Sequence, residues 1–252
     1  MSESNLNPYL PDNAKVFADS RQLAEQLVAE IVEIANQAIE EKSAFHFITA
    51  GGTTPNLCYQ LLSALPQSAT DWSKWQIYMG DERVLPLADP ERNSQALLVH
   101  WLQGSLIPEQ NRHFIEVEQG AETAAYAYAC KIFSVDEFDL ALVGMGEDGH
   151  TASLFPGHNE SDLVTPINCT PADAKGFNCA PIIIDKHSPK PPAERVSLNY
   201  ISFSKSRLLI KLVTGAGKNH ALKQWLVDKQ PLPIALLKGR QNKLYVDQAA
   251  VS

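Results

Sequence analysis

The segment of the chain with the clearest chemistry is residues 144–156, which read GMGEDGHTASLFP. Within it, Asp148 lies two residues before His150, among glycines that allow a tight loop. A histidine accepts a proton near neutral pH, and a carboxylate beside it fixes the tautomer and stabilises the imidazolium. The spacing therefore predicts His150 as a general base that Asp148 orients. The alternative is a structural loop containing a hydrogen-bonded histidine.

A second group of charged side chains, Asp81, Glu82 and Arg83, follows Gly80 directly after a predicted strand. Asp81 or Glu82 can serve as an acid–base group. The Arg83 guanidinium can bind a phosphate through two parallel hydrogen bonds. The alternative is a surface turn with a local salt bridge, which contributes little stability.

A third candidate is the glycine–threonine loop GGTTP, which begins at Gly51. Gly51 and Gly52 let the backbone approach an anion closely, and a helix that starts here supplies free N–H groups. Thr53 and Thr54 add hydroxyl donors. Thr54 suits the N-cap position and Pro55 the first helical position. A tight turn before an ordinary helix is the alternative reading of the same residues.

The segment TGAGK, which ends at Lys218, lies between a predicted strand and a predicted helix. It lacks the complete GxxxxGK[ST] pattern because Asn219 follows the lysine, and nucleotide binding is therefore rejected. Lys218 can still bind a phosphate as a point charge, or it is a solvated surface lysine. No residue pattern in the sequence requires a metal ion or an organic cofactor.

Strands alternate with helices along the chain, which predicts βα units in an α/β fold. We expect a mostly parallel sheet with helices on both faces, an open Rossmann-like sandwich. A single domain spans residues 1–252, and residues 1–13 are interpreted as a tail or an edge extension. Ligands bind at the carboxyl ends of strands in such sheets, so the glycine turns at 51–52, 80 and 144–149 should converge. The predicted strands are 45–50, 75–79, 113–117, 138–143, 207–213 and 244–246.

Composition restricts the function classes further. The net charge is −8, which argues against a general binder of nucleic acid or of anionic membranes. No apolar run is long enough to span a membrane and no signal-peptide pattern is present, so we expect a cytoplasmic protein. The four cysteines are scattered, as is typical of a reducing compartment, although a bridge between Cys169 and Cys179 stays open.

Four segments of the chain match a known pattern: GGTTP at 51–55, DWSKWQIYMGDERVLP at 71–86, FDLALVGMGEDGHTASLFPG at 138–157 and RVSLNYISFSKSRLLIKLVTGAGK at 195–218. Together they resemble the 6-phosphogluconolactonases, which belong to a wider group with glucosamine-6-phosphate deaminases and ribose-5-phosphate isomerases. The specific part is DGHTASLFP, because deaminases of the group usually continue as DGHIAFNEP. Two departures are visible: GGTTP replaces the usual GGSTP, which keeps the hydroxyl, and residues 158–193 look longer and more irregular than expected.

The resemblance implies hydrolysis of 6-phospho-D-glucono-1,5-lactone to 6-phosphogluconate, a step of the oxidative pentose phosphate pathway. It implies that His150 is the general base for a water molecule. Arg83 and Lys218 would be the main anion-binding side chains, Arg195 a further phosphate ligand, and residues 51–54 part of the sugar or phosphate site. We expect a monomer without a cofactor, whose partner is this small molecule.

Two other functions stay open at this point. A sugar-phosphate isomerase or deaminase would use Asp81 as a proton-shuttling base on an open-chain substrate. A non-catalytic sugar-phosphate sensor would bind such a ligand without turnover, but sensors of this kind often carry a basic DNA-binding segment, and this acidic chain shows none.

Overall fold

The computed structural model describes residues 5–157, 163–164 and 180–252. Cys169 and Cys179 lie outside the described residues, and so do residues 158–162 and 165–179 of the irregular segment. The bridge between the two cysteines therefore stays a hypothesis.

The described residues form two sheets. Seven parallel strands build the main sheet, in the order β1-β11-β10-β6-β2-β3-β5, and four antiparallel strands build the second, in the order β4-β9-β8-β7. The strands, numbered along the chain, are β1 (Ala14–Phe17), β2 (Phe45–Thr49), β3 (Trp75–Met79), β4 (Asp81–Arg83), β5 (Arg112–His113), β6 (Phe138–Gly144), β7 (Leu163–Val164), β8 (Ile182–Asp185), β9 (Arg195–Leu198), β10 (Ser206–Val213) and β11 (Gln241–Asp247). The predicted mostly parallel α/β fold is confirmed.

Eight α-helices are present in the described residues, and a π-helix covers Leu98–Leu102. The helices are α1 (Ser20–Lys42), α2 (Thr53–Ser63), α3 (Asn93–Leu97), α4 (Ala121–Phe133), α5 (Tyr200–Ser204), α6 (Asn219–Leu226), α7 (Pro233–Leu236) and α8 (Gln248–Val251). Among them, none combines the length and the apolar character that a membrane span requires.

Helix α1 shows how the sequence sets a local structure. Asp19 accepts a hydrogen bond from the backbone N–H of Gln22 (2.8 Å), and the Gln22 side chain accepts one from the backbone N–H of Ala18 (2.8 Å). The first bond satisfies an N–H group that the helix leaves free, and the second satisfies the N–H of the residue before the N-cap. Asp19 and Gln22 thus form a capping pair at the start of α1. One face of the helix is buried, through Leu23, Leu27 and neighbouring apolar residues. Full burial of a large apolar side chain such as leucine contributes about 1.5–3 kcal/mol to the free energy of folding.

The order of the strands places a natural ligand site beside β2. The chain winds from β2 through β3 to β5, and then returns to the other side of β2 with β6. The direction of winding therefore reverses between β2 and β6. In open α/β sheets, ligands bind at the carboxyl ends of strands at such a position. Strand β6 is buried along its length from Phe138 to Val143, as expected for a central parallel strand.

The second sheet was not predicted from the sequence. Residues 81–83 form strand β4 rather than a surface turn, and they pair with β9 in antiparallel register. Helix α4 packs against β8 and β9 of this sheet and also reaches β3 through the Tyr128 hydroxyl. The small sheet thus holds the charged segment after β3 in a paired strand instead of a free loop.

Of the two alternatives for the N-terminal segment, residues 5–13 follow the edge extension and not the tail. Leu6 is buried and its N–H donates to the carbonyl of Val251 (2.7 Å), and the chain then enters edge strand β1. One local prediction was wrong. The predicted strand 113–117 is short: β5 ends at His113, and Val117 begins a 3₁₀ turn.

Candidate active site

A cavity of about 470 Å³ lies at the carboxyl ends of β2, β3, β6 and β10. The three predicted glycine turns all line it, which confirms that they converge. Of the site residues predicted from the sequence, Asp148 does not line the cavity itself, but it contacts His150, which does. The predicted residues that line the cavity are Gly51, Gly52, Thr53, Thr54, Asp81, Arg83, His150, Arg195 and Lys218.

The loop after β2 brings a helix N-terminus to the cavity. Gly52 has a φ of 114°, which glycine adopts without strain, and α2 begins at Thr53. The prediction that Thr54 caps this helix was wrong, because Gly52 occupies the N-cap position and no side chain caps the helix. The Thr54 hydroxyl instead lies 2.6 Å from the hydroxyl of Thr214, which ties this loop to the end of β10.

His150 and Asp148 are in contact in the loop after β6. His150 Nδ1 forms a hydrogen bond with the Asp148 carboxylate, and the backbone carbonyl of His150 accepts from the N–H of Gly146 (2.8 Å). A carboxylate on Nδ1 favours the tautomer with the proton there, which leaves Nε2 as the basic nitrogen. Burial lowers the pKa of His150 below its ordinary 6.5, although the Asp148 carboxylate acts in the opposite direction. The imidazole is therefore neutral at neutral pH.

The surroundings of the imidazole restrict its orientation. The ring packs against Phe155, with 4.5 Å between ring centroids. On another side it lies against Gly146, where a Cβ would approach Nδ1 to 2.0 Å. The His150 side chain is 17% exposed, so it is shielded from bulk solvent and still borders the cavity.

Asp81 is a buried carboxylate with both oxygens engaged. Its Oδ1 accepts from the Asn93 side-chain amide (2.8 Å), and its Oδ2 accepts from the Ser153 hydroxyl (2.7 Å). Asn93 also donates to the Asp81 backbone carbonyl (3.0 Å). The carboxylate is thus held in place at the cavity wall, and it favours the protonated form of His150 electrostatically.

Glu82, the other acid–base candidate, has a structural role. Its carboxylate accepts from the backbone N–H groups of Asn93 (2.8 Å) and Ser94 (3.0 Å) at the start of α3, and it pairs with Arg92 (3.4 Å). It is fully buried and does not line the cavity. The suggestion that Glu82 acts as an acid–base group is therefore not supported by its position.

Arg83 and Arg195 are directly opposite each other in the antiparallel pair of β4 and β9. Like charges in this position repel each other, and an anion bound to Arg83 would offset this repulsion. Arg83 donates to the carbonyl of Glu91, while its buried Nε has no partner among the described residues. Burial lowers the pKa of Arg195, which Asp81 opposes and Arg83 reinforces.

Arg195 also organises the loop that precedes β9. Its guanidinium donates to the carbonyls of Lys190 (3.3 Å), Pro191 (3.1 Å) and Pro192 (3.2 Å). Several of its N–H donors therefore bind backbone carbonyls, and these bonds hold the loop that carries Lys190 at the cavity.

Two lysines complete the charged wall. Lys218 lines the cavity, and burial lowers its pKa, whereas Glu147 raises it and Lys190 lowers it. Lys190 also lines the cavity, with its Nζ 3.7 Å from Asp148 Oδ1. Four cationic side chains thus border one cavity in a chain whose net charge is −8.

Sequence reasoning missed Lys190, Asn93 and Ser153. Lys190 lies in a proline-rich segment with no local motif, and Asn93 is recognisable only through its contact with Asp81. Ser153 lies within the quoted DGHTASLFP motif, but nothing in the sequence indicates that its hydroxyl binds Asp81. In residues 5–157 and 180–252, no group of three or more His, Cys, Asp or Glu side chains is arranged to hold a metal ion.

Comparison with known proteins adds to this geometry. The family model described as glucosamine-6-phosphate isomerases/6-phosphogluconolactonase matches residues 18–246. The chain belongs to this family. Within the family, human 6-phosphogluconolactonase is 30% identical over 257 residues, which cover 95% of this chain and 93% of the human protein. A probable chloroplastic 6-phosphogluconolactonase 4 of rice (Oryza sativa subsp. indica) is also 30% identical, over 94% of this chain and 75% of the rice protein.

Solved structures of the family share the fold. The crystal structure of 6-phosphogluconolactonase from Thermotoga maritima has a TM-score of 0.79 and 25% identity, and the match covers 93% of this chain and 99% of that one. A monomeric glucosamine-6-phosphate deaminase has a TM-score of 0.73 at 18% identity, covering 94% of this chain and 98% of the deaminase. The fold is therefore common to lactonases and deaminases, and the choice between the two activities depends on the site.

Proposed function

We propose that this protein hydrolyses 6-phospho-D-glucono-1,5-lactone to 6-phosphogluconate. The observation that carries the proposal is the hydrogen-bonded pair of His150 and Asp148 at a cavity lined by Arg83, Lys190 and Lys218. A neutral base suits a water nucleophile, and the cations suit a phosphorylated substrate. The human and rice relatives that match across most of this chain are both named 6-phosphogluconolactonases, which supports the same substrate.

In the proposed first step, His150 Nε2 takes a proton from a water molecule while the water oxygen forms a bond to the lactone carbon C1. The carbonyl oxygen then carries the negative charge of a tetrahedral intermediate. Asp148 keeps the ring in the required tautomer and stabilises the imidazolium that forms. Because the lactone is an activated ester, no covalent enzyme intermediate is needed.

In the second step, the intermediate collapses and the bond between C1 and the ring oxygen breaks. The leaving ring oxygen takes the proton from the His150 imidazolium, which restores the neutral base. One water molecule is consumed, and the product is the open-chain acid. The same histidine thus acts first as a base and then as an acid.

The negative charge on the oxyanion needs hydrogen-bond donors that are already in place. The first turn of α2 offers free backbone N–H groups at the cavity, beside Gly52 and Thr53. Donors fixed in this way contribute roughly 3–4 kcal/mol to stabilisation of the transition state. We assign this role to the 51–54 loop.

The phosphate of the substrate would be held by Arg83, Lys190 and Lys218, and its binding would fix the lactone relative to His150. Arg83 Nε, which is buried without a partner among the described residues, is a donor for such an anion. Binding energy from this remote group is useful because it orients the reacting carbon. The role of Arg195 would be chiefly to hold the Lys190 loop, since its guanidinium already donates to three carbonyls.

The names of the relatives favour the lactonase over the deaminase alternative, since the human and rice proteins that match most of this chain are both named 6-phosphogluconolactonases. Each Asp81 oxygen accepts one hydrogen bond, from Asn93 or from Ser153, which holds the carboxylate at the cavity wall. In the lactonase mechanism, Asp81 contributes as a fixed negative charge near His150. Ammonia release from glucosamine 6-phosphate would support the alternative.

The test is hydrolysis of freshly generated 6-phosphogluconolactone, corrected for its spontaneous rate, by the wild type, His150→Ala and the control His100→Ala. We expect rapid hydrolysis by the wild type and the control, and a kcat that is greatly reduced in His150→Ala with a smaller change in KM. Near-normal turnover in His150→Ala would remove this histidine from the general-base role. No wild-type acceleration over the spontaneous rate would contradict the lactonase proposal itself.

A further inference from the structure

Tyr59 on α2 makes an unusual pair of contacts with a single peptide unit. Its hydroxyl accepts a hydrogen bond from the backbone N–H of Ala50 (2.9 Å) and donates one to the backbone carbonyl of Ala50 (2.8 Å). The side chain is fully buried and stacks on Trp101 of the π-helix, with 5.7 Å between ring centroids. Ala50 is the residue that directly precedes Gly51 of the glycine–threonine loop.

Tyr128 on α4 makes the same pair of contacts at the end of the neighbouring strand. Its hydroxyl accepts from the backbone N–H of Met79 (2.7 Å) and donates to the carbonyl of Met79 (2.9 Å). The side chain is 1% exposed. Met79 directly precedes Gly80 and the buried carboxylate Asp81. Two helices thus hold two adjacent strand ends by the same device.

The device follows from strand geometry. In an extended strand, the N–H and the carbonyl of one residue point to the same side, where a neighbouring strand would pair with both. Strand β2 pairs with β6 at Phe47 and Ile48, and β3 pairs with β5 at Ile77 and Tyr78, so both tyrosine contacts lie beyond the paired residues. A hydroxyl can donate and accept at the same time, so it can replace the carbonyl and the N–H that a neighbouring strand would supply. Burial raises the pKa of both phenols, so each keeps its proton.

The two strand ends are also joined to each other. The N–H of Gly80 donates to the carbonyl of Thr49 (3.0 Å), and the Thr49 hydroxyl donates to the carbonyl of Tyr78 (2.8 Å). Asn93 packs against Gly51, where a Cβ would lie 2.1 Å from its Oδ1, and donates to Asp81. A shift of either strand end would therefore move both the glycine–threonine loop and Asp81.

We propose that Tyr59 and Tyr128 are paired positioning residues, whose hydroxyls fix the two strand ends that carry the 51–54 loop and Asp81. Neither side chain lines the cavity, so they act on the reaction through the backbone. The effect on catalysis rests on the proposed lactonase function. The effect on the backbone does not, and it can be measured separately.

The experiment compares Tyr59→Phe and Tyr128→Phe with the control Tyr245→Phe. Tyr245 is also fully buried and its hydroxyl donates to Glu30, but it lies on β11 and does not line the cavity. All three variants lose one buried hydroxyl, so a purely structural effect would lower the melting temperature in each. Lactone hydrolysis is measured well below these melting temperatures, and amide hydrogen exchange is measured at Ala50 and Met79.

We expect kcat to fall roughly tenfold to a hundredfold in Tyr59→Phe and Tyr128→Phe, with a much smaller change in KM. The reason is that misplaced groups stabilise the transition state less well. Tyr245→Phe should keep its kcat. Exchange should accelerate at Ala50 in Tyr59→Phe and at Met79 in Tyr128→Phe, and in neither for Tyr245→Phe. A kcat loss no greater than that of Tyr245→Phe would overturn the proposal.

Two further outcomes are also decisive. If the wild type does not hydrolyse the lactone, the proposed function fails, and the exchange data alone then decide whether the hydroxyls fix the strand ends. If the phenylalanine variants do not fold, exchange in the wild type is the test. Slow exchange of the Ala50 and Met79 amides would support the proposal that the two hydroxyls fix the strand ends. Exchange as fast as in an exposed loop would overturn it.

Discussion

Gly146 lies directly beneath the imidazole of His150, so close that a Cβ at residue 146 would be 2.0 Å from Nδ1 and 2.1 Å from Cε1. The same Cβ would be 2.6 Å from Asp148 Oδ1. The glycine is therefore required by the side chain it faces, since no other residue leaves room for the hydrogen-bonded pair. The positions of both His150 and Asp148 therefore depend on the absence of a side chain at residue 146.

Gly146→Ala should consequently displace the His150 ring and abolish most of the lactonase activity while the protein stays folded. We expect a kcat reduction of about a hundredfold, the scale found when a catalytic group is misplaced by roughly 1 Å. Gly144→Ala is the comparison, because the nearest atom to its Cβ would be 3.9 Å away, and it should lose much less activity. Equal losses in the two variants would show that the contact with His150 is not the reason.

The pH dependence of kcat/KM should report His150. In the proposed mechanism the neutral imidazole is the active form, and burial lowers its pKa below 6.5. Activity should therefore be constant above pH 6.5 and fall as the pH drops through the lowered pKa. Asp148→Asn removes the carboxylate that raises the pKa of His150, and should shift the acid limb to lower pH in addition to reducing kcat. Rate profiles of both proteins test this. An acid limb that does not move in Asp148→Asn would contradict the coupling.

The cationic side chains should distinguish a phosphorylated substrate from an unphosphorylated one. Arg83→Ala or Lys218→Ala should lower kcat/KM for 6-phosphogluconolactone by roughly 10- to 100-fold, the scale of a lost hydrogen bond to a charged group. Hydrolysis of unphosphorylated gluconolactone should change little. Arg207→Ala is a suitable control, since this arginine forms a surface pair with Glu41. If both substrates lose activity equally, the two residues do not bind the phosphate.

Glu82→Ala should destabilise the protein severely, in contrast to substitutions at exposed acids. Its removal leaves the buried N–H groups of Asn93 and Ser94 without their acceptor, and leaves the buried Arg92 with Glu118 as its remaining acidic partner. Breaking a buried pair of this kind costs about 3–5 kcal/mol of unfolding free energy. Denaturant unfolding of Glu82→Ala beside Glu40→Ala, an exposed residue of α1, measures the difference. A loss below about 1 kcal/mol, which is typical of surface pairs, would contradict the assignment.

The parts of the fold that the sequence predicted are those with strong local signals. The apolar stripe and the Asp19–Gln22 cap define α1, and the glycine turns mark the ends of the central strands. The contact between Asp148 and His150 was also predictable, because the two residues are only two positions apart in a loop that glycines allow to turn tightly.

The second sheet and the separate roles of Asp81 and Glu82 could not be predicted in the same way. Strand β4 has three residues and its partner β9 lies more than a hundred positions away, so no local pattern reveals the pairing. Once residues 81–83 are known to be a strand, their roles follow, since alternate side chains point to opposite faces. Asp81 and Arg83 then face the cavity, and Glu82 faces α3.

The pairing of β1 with β11 has a consequence for folding during synthesis. Strand β1 is made before every other described strand, yet its neighbour at the edge of the main sheet is complete only at Asp247. On a ribosome, β1 must therefore stay unpaired until β11 has emerged. Strands β3 and β6, which precede Asp81 and His150, find their neighbour sooner, because both pair with β2. The part of the sheet that carries Asp81 and His150 can thus form in a nascent chain while β1 is still unpaired.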